Sequence, residues 1–548
     1  MDTRRTAKVR NHFHQAKWDE ELLFELHKPG ERGLVVAPVE PGIAAAVGDG
    51  LAALPAGMVR QRPPALPEIG QMRIVKHFMR LSQENLGGDL NIDIGQGTCT
   101  VKYNPKVNDV LAGNAKLAQL HPLQDPRTLQ GALQVLHTLD LYLREISGMD
   151  RFSLQPASGS AAILNMVSII QAYHKDRGEA GTRDEIITTI FSHPSDAAVA
   201  AVKGFKVITL MQNDDGLATV EDLRKAVGPR TAGMLVTNPE DTGIFNPRIA
   251  EFVQVVHDAG GICGYDQANA NGLLGITRAR SAGFDMCFFN LHKTFGTPHG
   301  SGGPGSGALG VTGALAGFLP VPLVEHDERG YFLDTDLPKS IGKTRAFYGC
   351  VQVALKAYAW IRALGAEGLR EVAEVAVLNN NYLLEKIKRI RGASAPFAPG
   401  RRRIEQVRYS WEQLFKDTGV TSEDIALRVA DFGLHMWASH HPFIVPQPFT
   451  IEPTESYSKE ELDEYIGVLT QVAEEAYTHP ELVQTAPHRS VCHRIKHEDL
   501  DDPARWAITW RLFQRKQKVA GLSAARGPLA DPSPQGCARQ GHRVPEGR

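Results

Sequence analysis

The sequence predicts an α/β fold in which helices cover a mainly parallel sheet. Three short apolar runs are typical of buried parallel strands, and they end at Asn238 ("GMLVTN"), Asp266 ("GICGYD") and Asn290 ("FDMCFFN"). Between the first two runs, "PRIAEFVQVVHDAGG" has helical spacing and closes on glycines. The resulting order of strand, helix and strand is the one that a parallel sheet requires.

The carboxyl ends of these strands are where we expect a ligand site, because ligands of open α/β sheets bind at that edge. The ends carry Asn238, Asp266 and, three residues beyond Asn290, Lys293. Lys293 precedes the glycine-rich stretch "GTPHGSGGPGSGALG". A phosphate-binding loop of the Gly-Lys-Ser/Thr type has its lysine after the glycines and before a helix, so the order found here excludes that motif.

Helical patterns continue outside the sheet. Leucines from Leu129 to Leu143 share one helix face, and we expect Gly148 to end that helix. After about residue 335, two long helical segments open a region that fits a smaller α+β domain, whereas the prolines of "VAPVEPG" and "RQRPPALPEIG" predict an extended arm without a fold of its own. The predicted organisation is an N-terminal arm at 1–70, a large domain at 71–334, a small domain at 335–495, and a tail at 496–548 that is disordered towards its end.

The composition is that of a soluble globular protein. The chain has 548 residues, of which 42% are hydrophobic, and a formal net charge of −2, so it has no bulk attraction for nucleic acid. Its six cysteines lack a CxxC pair and zinc spacing, and the sequence contains neither a run of 18 apolar residues nor a secretory signal. We therefore expect a cytoplasmic protein that requires no metal and binds neither nucleic acid nor membrane.

Lys293 and Asp266 together favour a pyridoxal-phosphate site. A lysine that forms a Schiff base with this cofactor must reach the mouth of the sheet, and an acid must lie against the pyridine nitrogen to keep it protonated. Asp266, at the end of the preceding strand, suits the second role. The alternatives are a solvated surface lysine and, since "DQANANG" is rich in turn residues, an aspartate that only caps a turn. Asn238, at its strand end, and His292, beside the lysine, are further candidates for cofactor binding.

Two predicted helix starts are candidates to complete the site. Small residues precede a helical pattern after "SLQPA", namely Ser158, Gly159 and Ser160. Such residues at a helix amino terminus let a phosphate approach the backbone N–H groups. His193 precedes another helix start, where its imidazole could stack on the pyridine ring. The alternatives are a helix with an ordinary serine cap and a histidine that only packs or caps.

Nine segments in the same order resemble the family of subunit 2 of glycine dehydrogenase (decarboxylating), the P-protein of the glycine cleavage system in its two-subunit form. The most specific segment is "NLHKTFGTPHGSGGPGSGALGV". The others are "FMRLSQEN", "TCTVKYNPKVND", "HPLQDPRTLQGALQVL", "SLQPASGS", "VTNPEDTGIF", "YDQANANG", "PKSIGKTRAFYG" and "IEPTESYSKEELD". The resemblance runs from about residue 20 to about residue 490, although Ala161 and Ala162 depart from the family's usual text.

The resemblance implies a role for each candidate residue. Lys293 would form the Schiff base, Asp266 would pair with the pyridine nitrogen, and His193 would stack on the ring, so these three are the expected catalytic residues. The residues at 158–160 would hold the phosphate. A segment similar to one near the family's glycine site contains Thr100, Lys102 and Asn104. The implied fold is that of the aminotransferase-like, fold-type I pyridoxal-phosphate enzymes, with a smaller α+β C-terminal domain.

The resemblance also implies a reaction and its partners. Glycine would lose its carboxylate as carbon dioxide, and the aminomethyl group would pass to the lipoyl arm of the H-protein. Subunit 1 of the P-protein would be the second chain of a heterotetramer of two plus two. Two other interpretations remain open. One is another pyridoxal-phosphate lyase or decarboxylase of a small amino acid, and the other is a diverged subunit that keeps the fold without catalysis.

Overall fold

The structure, a computed structural model, describes most of the chain in two compact units. The described residues are 9–10, 16–18, 20–62, 66–85, 91–95, 102–299, 303–436, 444–491, 494, 509–510 and 513–514. The larger unit comprises residues 1–13 and 86–488, and the smaller one residues 14–85 and 489–548. The domain boundaries expected after residues 70, 334 and 495 stay a prediction. The expected disorder at the end of the tail lies outside the described residues.

A seven-stranded sheet forms the centre of the larger unit as described. Its strands are β1 (Arg151–Ser153), β2 (Glu185–Thr189), β3 (Lys206–Leu210), β4 (Thr231–Thr237), β5 (Ile262–Gln267), β6 (Met286–Asn290) and β7 (Gly307–Val311). Their order is β1-β7-β6-β5-β4-β2-β3, in which β7 is antiparallel to β6 and to β1 and the other pairs are parallel. The three strands predicted from the apolar runs are confirmed as the adjacent parallel strands β4, β5 and β6.

Helices cover both faces of this sheet. In chain order the helices are α1 (Pro41–Val47), α2 (Gln71–Gln83), α3 (Lys106–Ala112), α4 (Ala115–Ala118), α5 (Gln130–Ser147), α6 (Gly159–Asp176), α7 (Pro194–Val202), α8 (Val220–Ala226), α9 (Ile249–Asp258), α10 (Gly313–Ala316), α11 (Val351–Ile387), α12 (Glu412–Thr418), α13 (Ser422–Ala430), α14 (Lys459–Thr478) and α15 (Pro480–Gln484). The predicted leucine helix is confirmed as α5, and Gly148 ends it in the left-handed conformation (φ 75°). The helix predicted between the first two apolar runs is confirmed as α9.

Alternation along the strands assigns each side chain to one face of the sheet. Tyr265 and Phe289 pack into the core to which α5, α9 and α11 contribute. Phe288 packs into the opposite core, which includes one face of α6. Because successive side chains of a strand point to opposite faces, Asp266 and Asn290 lie on the α6 side. The polar ends of β5 and β6 are therefore on the same face as α6.

A second core lies in the C-terminal part of the larger unit. There β10 (Val407–Ser410) pairs antiparallel with β11 (Pro448–Ile451), while β8 (Leu323–Asp327) and β9 (Gly330–Asp334) form a hairpin beside the first core. Helices α12, α13, α14 and the end of α11 pack around the β10–β11 pair. The two predicted helical segments are continuous in α11 except at Gly365, whose φ of 66° is one that glycine adopts readily. This mixture of helices with a small sheet confirms the predicted α+β region.

The smaller unit contains α1, α2 and the 3₁₀ turns Gly50–Ala53 and Ala56–Met58. The predicted arm is thus partly helical, since the alanines of "PGIAAAV" favour a helix and a proline is accepted in its first turn. Several large apolar side chains of this unit are exposed, including Leu34 (73%), Val35 (77%), Val36 (74%), Val39 (67%) and Met58 (75%). Across both units, none of the helices described has the length and apolar character needed to span a membrane.

Candidate active site

Neighbouring strand ends bring the predicted lysine and aspartate to one edge of the sheet. In the strand register, Thr237 at the end of β4 pairs with Asp266 on β5, and Asp266 pairs with Phe288 on β6. In the turn after β6, the N–H of Lys293 donates to the carbonyl of Asn290 at 3.0 Å. The charge of Lys293 acts on Asp266, so the two side chains are electrostatic neighbours.

Lys293 is a buried lysine, with only 6% of its surface exposed. This burial rules out the alternative of a solvated surface lysine. The turn that carries it is held by Lys102, whose Nζ donates to the carbonyl of Thr294 at 2.7 Å and pairs with Glu455 at 2.9 Å. The Lys102 Nζ also lies 4.7 Å from the centre of the Trp360 ring. Lys102 thus fixes the backbone next to Lys293, and its expected contact with substrate stays a prediction.

Asp266 is a buried acid that also stabilises a turn. Its Oδ1 accepts a hydrogen bond from the N–H of Ala268 at 2.8 Å, so the turn role named as an alternative is present. Burial raises the pKa of Asp266 to about 6, although the Ala268 hydrogen bond and the charge of Lys293 act in the other direction. A cation held against this carboxyl would stabilise its charged form. Because a carboxylate has two oxygens, the turn bond and a contact with a pyridine nitrogen are compatible.

His193 caps the start of α7. Its Nδ1 accepts from the N–H of Ser195 at 3.2 Å and lies 2.6 Å from the Ser195 Oγ. The capping alternative is therefore observed. Stacking on a cofactor ring stays a prediction, and it is compatible with the cap because capping uses the edge of the imidazole and stacking uses its face.

The start of α6 approaches the end of β6 closely. Ser158 caps α6, since its Oγ accepts from the N–H of Ala161 at 3.2 Å. Gly159 and Ser160 follow in the first turn, where backbone N–H groups have no partner within the helix. A Cβ added to Gly159 would lie 2.9 Å from the Nδ2 of Asn290, so a side chain there would push the helix start away from the strand. The serine cap named as the alternative is therefore present, and so are the small residues that let an anion approach a helix start. Phosphate binding at this position stays a prediction.

His292 and Asn238 hold loops of the site. His292 is buried, and its Nδ1 accepts from the N–H of Ser306 at 3.1 Å. Burial, with a smaller effect of Lys293, lowers the pKa of His292 to about 3, so the ring is neutral. The Oδ1 of Asn238 accepts from the N–H of Asn246 at 2.8 Å. Both side chains therefore have structural partners, and their contact with the cofactor stays a prediction.

The segment expected near the glycine site is described only in part. Thr100 lies outside the described residues. The Nδ2 of Asn104 donates to Asp109 at 2.9 Å, and Lys356 pairs with the same carboxylate. Asn104 thus orders the first turn of α3, and its role towards substrate stays a prediction.

Three buried acids around the site were not predicted from the sequence. Asp196 in α7 and Asp241 in the loop after β4 are 1% and 7% exposed. The negative charge of Asp241 acts on both Asp196 and Asp266. The guanidinium of Arg408 donates to Asp241 at 2.7 Å. Burial raises the pKa of Glu240, the neighbour of Asp241, to about 8. Asp196 and the pair at 240–241 come together only in the folded chain, so no periodicity or spacing marks the group.

Two further acids come from the second core. Glu405 accepts from the N–H of Gly272 at 2.7 Å, and Glu452 accepts from the side-chain amides of Asn269 and Asn271 at 2.8 Å. Burial, followed by the negative charge of Glu452, raises the pKa of Glu405 to about 8. The asparagines of "DQANANG" lie just beyond the strand end that carries Asp266. They were the only sequence signal for a polar partner at this position, although they did not identify Glu452.

One group of possible metal ligands occurs in the part of the chain described, namely His257, Cys263 and Asp285, whose ligand atoms lie within 4.8 Å of one another. The Oδ2 of Asp285 lies 2.7 Å from the His257 Nε2 and accepts from the N–H of Cys263 at 2.8 Å. Burial raises the pKa of the Cys263 thiol, which opposes the thiolate that a metal needs. Asp285 precedes β6, so the group lies at the edge opposite Lys293. Hydrogen bonding accounts for it, and the absence of a metal requirement stays a prediction.

The residues present at the carboxyl edge fit pyridoxal phosphate. A buried lysine and a buried aspartate lie together, and a helix start with small residues lies on the same face of the sheet. Several buried oxygens there have no hydrogen-bond partner among the described residues, namely Gln267 Oε1, Asn290 Oδ1 and Ser306 Oγ. Unpaired buried polar atoms in a native fold require an explanation, and a polar ligand is one.

Comparison with known sequences gives concordant matches. The family descriptions "Aminotransferase class-V" and "Glycine dehydrogenase, C-terminal domain" match residues 157–303 and 372–491. A Pyrococcus abyssi protein named probable glycine dehydrogenase (decarboxylating) subunit 2 is 46% identical over 505 residues, which are 92% of this chain and 98% of that protein. A protein of the same name from Caldanaerobacter subterraneus subsp. tengcongensis is 41% identical over 478 residues, or 86% of this chain and 96% of that protein.

Solved structures share the fold. A crystal structure of glycine decarboxylase (P-protein) of the glycine cleavage system, in inhibitor-bound form, superimposes with a TM-score of 0.68 at 21% identity, and the match covers 80% of this chain and all (100%) of that one. The apo structure of cysteine desulfurase from Thermococcus onnurineus NA1 superimposes with a TM-score of 0.54 at 17% identity over 70% of this chain and 95% of that one. The expected aminotransferase-like fold with a C-terminal domain is confirmed.

Proposed function

The chain belongs to the family of glycine dehydrogenase (decarboxylating) subunit 2, and on that basis we propose that it decarboxylates glycine with pyridoxal phosphate and passes the aminomethyl group to the lipoyl arm of an H-protein. One observation carries the proposal for this chain's own residues. Lys293, 6% exposed, and Asp266, 4% exposed, are electrostatic neighbours at the carboxyl edge of a fold shared with glycine decarboxylase.

Each residue has a defined task in this proposal. Bound pyridoxal phosphate supplies an electron sink, which lets glycine release its carboxylate as carbon dioxide. The Lys293 Nζ would hold the cofactor covalently, and burial of the side chain would keep water from that bond. Asp266 keeps a proton on the pyridine nitrogen through its negative charge. The first turn of α6 binds the phosphate, and the face of His193 orients the ring.

The relatives' designation as subunit 2 implies a subunit 1, so the enzyme contains more than one kind of chain. We further propose a heterotetramer of two plus two, with lipoylated H-protein as the acceptor of the aminomethyl group. The exposed apolar side chains between Leu34 and Met58 support an assembly, because surfaces of this kind are usually covered by a partner. The proposed partner of this segment is subunit 1.

Borohydride reduction tests the assignment of Lys293. We expect protein reconstituted with pyridoxal phosphate to absorb near the visible edge, and mass spectrometry after reduction to find the cofactor on Lys293. The Lys293→Ala variant should fold but hold no covalent cofactor. Lys225→Ala is the matched control, because that side chain is 77% exposed, and it should behave as wild type. Reductive fixation in Lys293→Ala would show that another lysine binds the cofactor.

Release of labelled carbon dioxide from the carboxyl carbon of glycine tests the reaction. We expect release to need both subunit 1 and lipoylated H-protein, because the acceptor lies on a separate protein. Cofactor binding without glycine turnover, but with turnover of another small amino acid, would favour a different decarboxylase or lyase. A wild-type chain that binds no cofactor would favour a subunit without catalysis.

A further inference from the structure

Asp196 lies buried in the first turn of α7, three residues after the cap His193. The residue is 1% exposed, and both carboxyl oxygens are inaccessible to solvent. Neither oxygen has a hydrogen-bond partner among the described residues. Burial of a polar group without a partner costs free energy, so a native fold that keeps one needs a reason for it.

The charges that act on Asp196 come from two other acids of the site. Asp266 on β5 and Asp241 in the loop after β4 both act on it as negative charges. The nearby cations interact with those two acids: Arg408 of β10 pairs with Asp241, and the charge of Lys293 acts on Asp266. The elements packed against α7 are α6, β2 and β3, and their titratable residues lie at the opposite ends, namely Tyr173, His174, Lys175, Asp176, Glu185 and Lys206.

This setting favours the neutral carboxyl of Asp196. Burial raises its pKa, and the negative charges of Asp266 and Asp241 raise the pKa further. A neutral carboxyl differs from a carboxylate in that it carries an O–H donor. The donor needs an acceptor, and of the two acids Asp266 has the larger electrostatic effect on Asp196. No hydrogen bond joins the two residues in this structure.

We propose that Asp196 is a positioning residue that carries a proton and donates it in a hydrogen bond to Asp266 in the cofactor-bound protein. The inference deepens the proposed function and rests on it, because Asp266 is there held against the pyridine nitrogen. One oxygen of Asp266 already accepts from the N–H of Ala268. A second donor fixes the rotation of the carboxylate, and it leaves the negative charge on Asp266 for the pyridine nitrogen.

Infrared spectroscopy of the holoprotein tests the protonation. At pH 7 the spectrum of wild type minus that of Asp196→Asn should contain the C=O stretch of one protonated carboxyl, and labelling of aspartate with carbon-13 should shift it. A difference spectrum that contains carboxylate stretches instead would overturn the proposal. Because Asn and Asp have the same shape, this variant tests the proton without opening a cavity.

Cofactor affinity, measured by absorbance titration, tests the positioning role. Asp196→Asn keeps a neutral donor and should bind pyridoxal phosphate within about twofold of wild type, whereas Asp196→Ala should bind about tenfold more weakly. Asp214→Asn and Asp214→Ala change an exposed aspartate and should match wild type. An unchanged affinity of Asp196→Ala, or an equal loss in both Asp196 variants, would overturn the inference while leaving the proposed function intact. A wild-type protein without affinity for the cofactor would overturn both.

Discussion

At the scale of residues, burial decides which roles Lys293 and Asp266 can take. Lys293 is only 6% exposed and lies near a buried aspartate, so its side chain lacks the solvent contact of a surface lysine. Its charge acts on Asp266 and Glu405 and opposes the rise in pKa that burial causes in both acids. Such clusters of buried titratable groups are frequent at functional sites, because catalysis needs groups whose protonation is set by their surroundings.

Asp266→Asn separates the turn role of this residue from its role towards the cofactor. An asparagine oxygen still accepts from the N–H of Ala268, but the amide has no charge with which to hold a proton on a pyridine nitrogen. We expect retained cofactor binding and a fall of about 100-fold or more in kcat for carbon dioxide release from glycine. The measurement combines absorbance with steady-state kinetics, with Asp214→Asn as a control at an exposed position. Turnover at the wild-type rate would limit Asp266 to the turn.

Sequence reasoning found the residues that follow readable strands and missed those placed by tertiary structure. Lys293 and Asp266 were accessible because the apolar runs before them mark strand ends. Asp196 lies in the helix start that follows His193. A one-dimensional pattern does not show that its carboxyl is buried or that the charges of two other acids act on it. Glu405 likewise meets Gly272 from 133 positions away in the chain.

At the scale of elements, a buried ion pair joins the loop after β4 to strand β10. The side chain of Arg408 is fully buried (0% exposed), that of Asp241 is 9% exposed, and the two lie 2.7 Å apart. Because the loop also carries Asn238 at the cofactor edge, the pair connects the C-terminal core to the site. Sequence alone predicted strand β4 but not this connection, since neither partner belongs to an apolar pattern.

Arg408→Met and Asp241→Asn should each destabilise the protein by about 3–5 kcal/mol, because each breaks the ion pair of a buried charge. The double variant buries neither charge, so its loss of unfolding free energy should be smaller than the sum of the single losses by about 1–3 kcal/mol. Urea denaturation of all four proteins measures this coupling. The surface pair of Arg329 and Asp327, whose side chains are 90% and 34% exposed, is the control, and its removal should have little measurable effect. Strict additivity at Arg408 and Asp241 would contradict a direct interaction.

At the scale of the whole molecule, buried acids make stability depend on pH. The pKa of Glu240 rises from 4.5 to about 8 because the side chain is buried. The folded state therefore keeps this proton at pH values where the unfolded chain has lost it. The stabilisation is complete below about pH 4.5 and is lost as the pH rises towards 8, by roughly 1.4 kcal/mol per unit of separation in pKa.

Glu240→Gln should flatten that dependence. Glutamine retains a neutral polar group for the contact with Thr189 but has no proton to lose. We expect the variant to lose less stability than wild type between pH 5 and pH 8, as measured by thermal unfolding at steps of one pH unit. Asp214→Asn should reproduce the wild-type profile, because it changes an exposed acid. A parallel shift of the Glu240→Gln profile, without a change in slope, would mean that Glu240 does not titrate in this range.

Domain organisation was only partly accessible from sequence. The proline-rich segment was expected to be extended, but "PGIAAAV" forms a helix, because alanine propensity acts locally between the prolines. The exposure of the apolar residues around it also could not be known, since the same residues in the same order would be buried if the segment packed on its own chain.

The proposed contact with subunit 1 can be tested in the segment between Leu34 and Met58. Val35 and Val36 are 77% and 74% exposed, so replacing both by glutamate changes no core of this chain and places two charges on the surface that we assign to subunit 1. We expect the double variant to bind pyridoxal phosphate as wild type does but to co-purify with subunit 1 about tenfold less, and to lose glycine decarboxylation in proportion. Val202→Glu combined with Met211→Glu adds the same charge at positions that are 83% and 55% exposed in the larger unit, and it should leave co-purification unchanged. Full co-purification of the Val35 and Val36 variant would place subunit 1 on another surface, whereas loss of cofactor binding in the same variant would mean that the segment supports the site of its own chain.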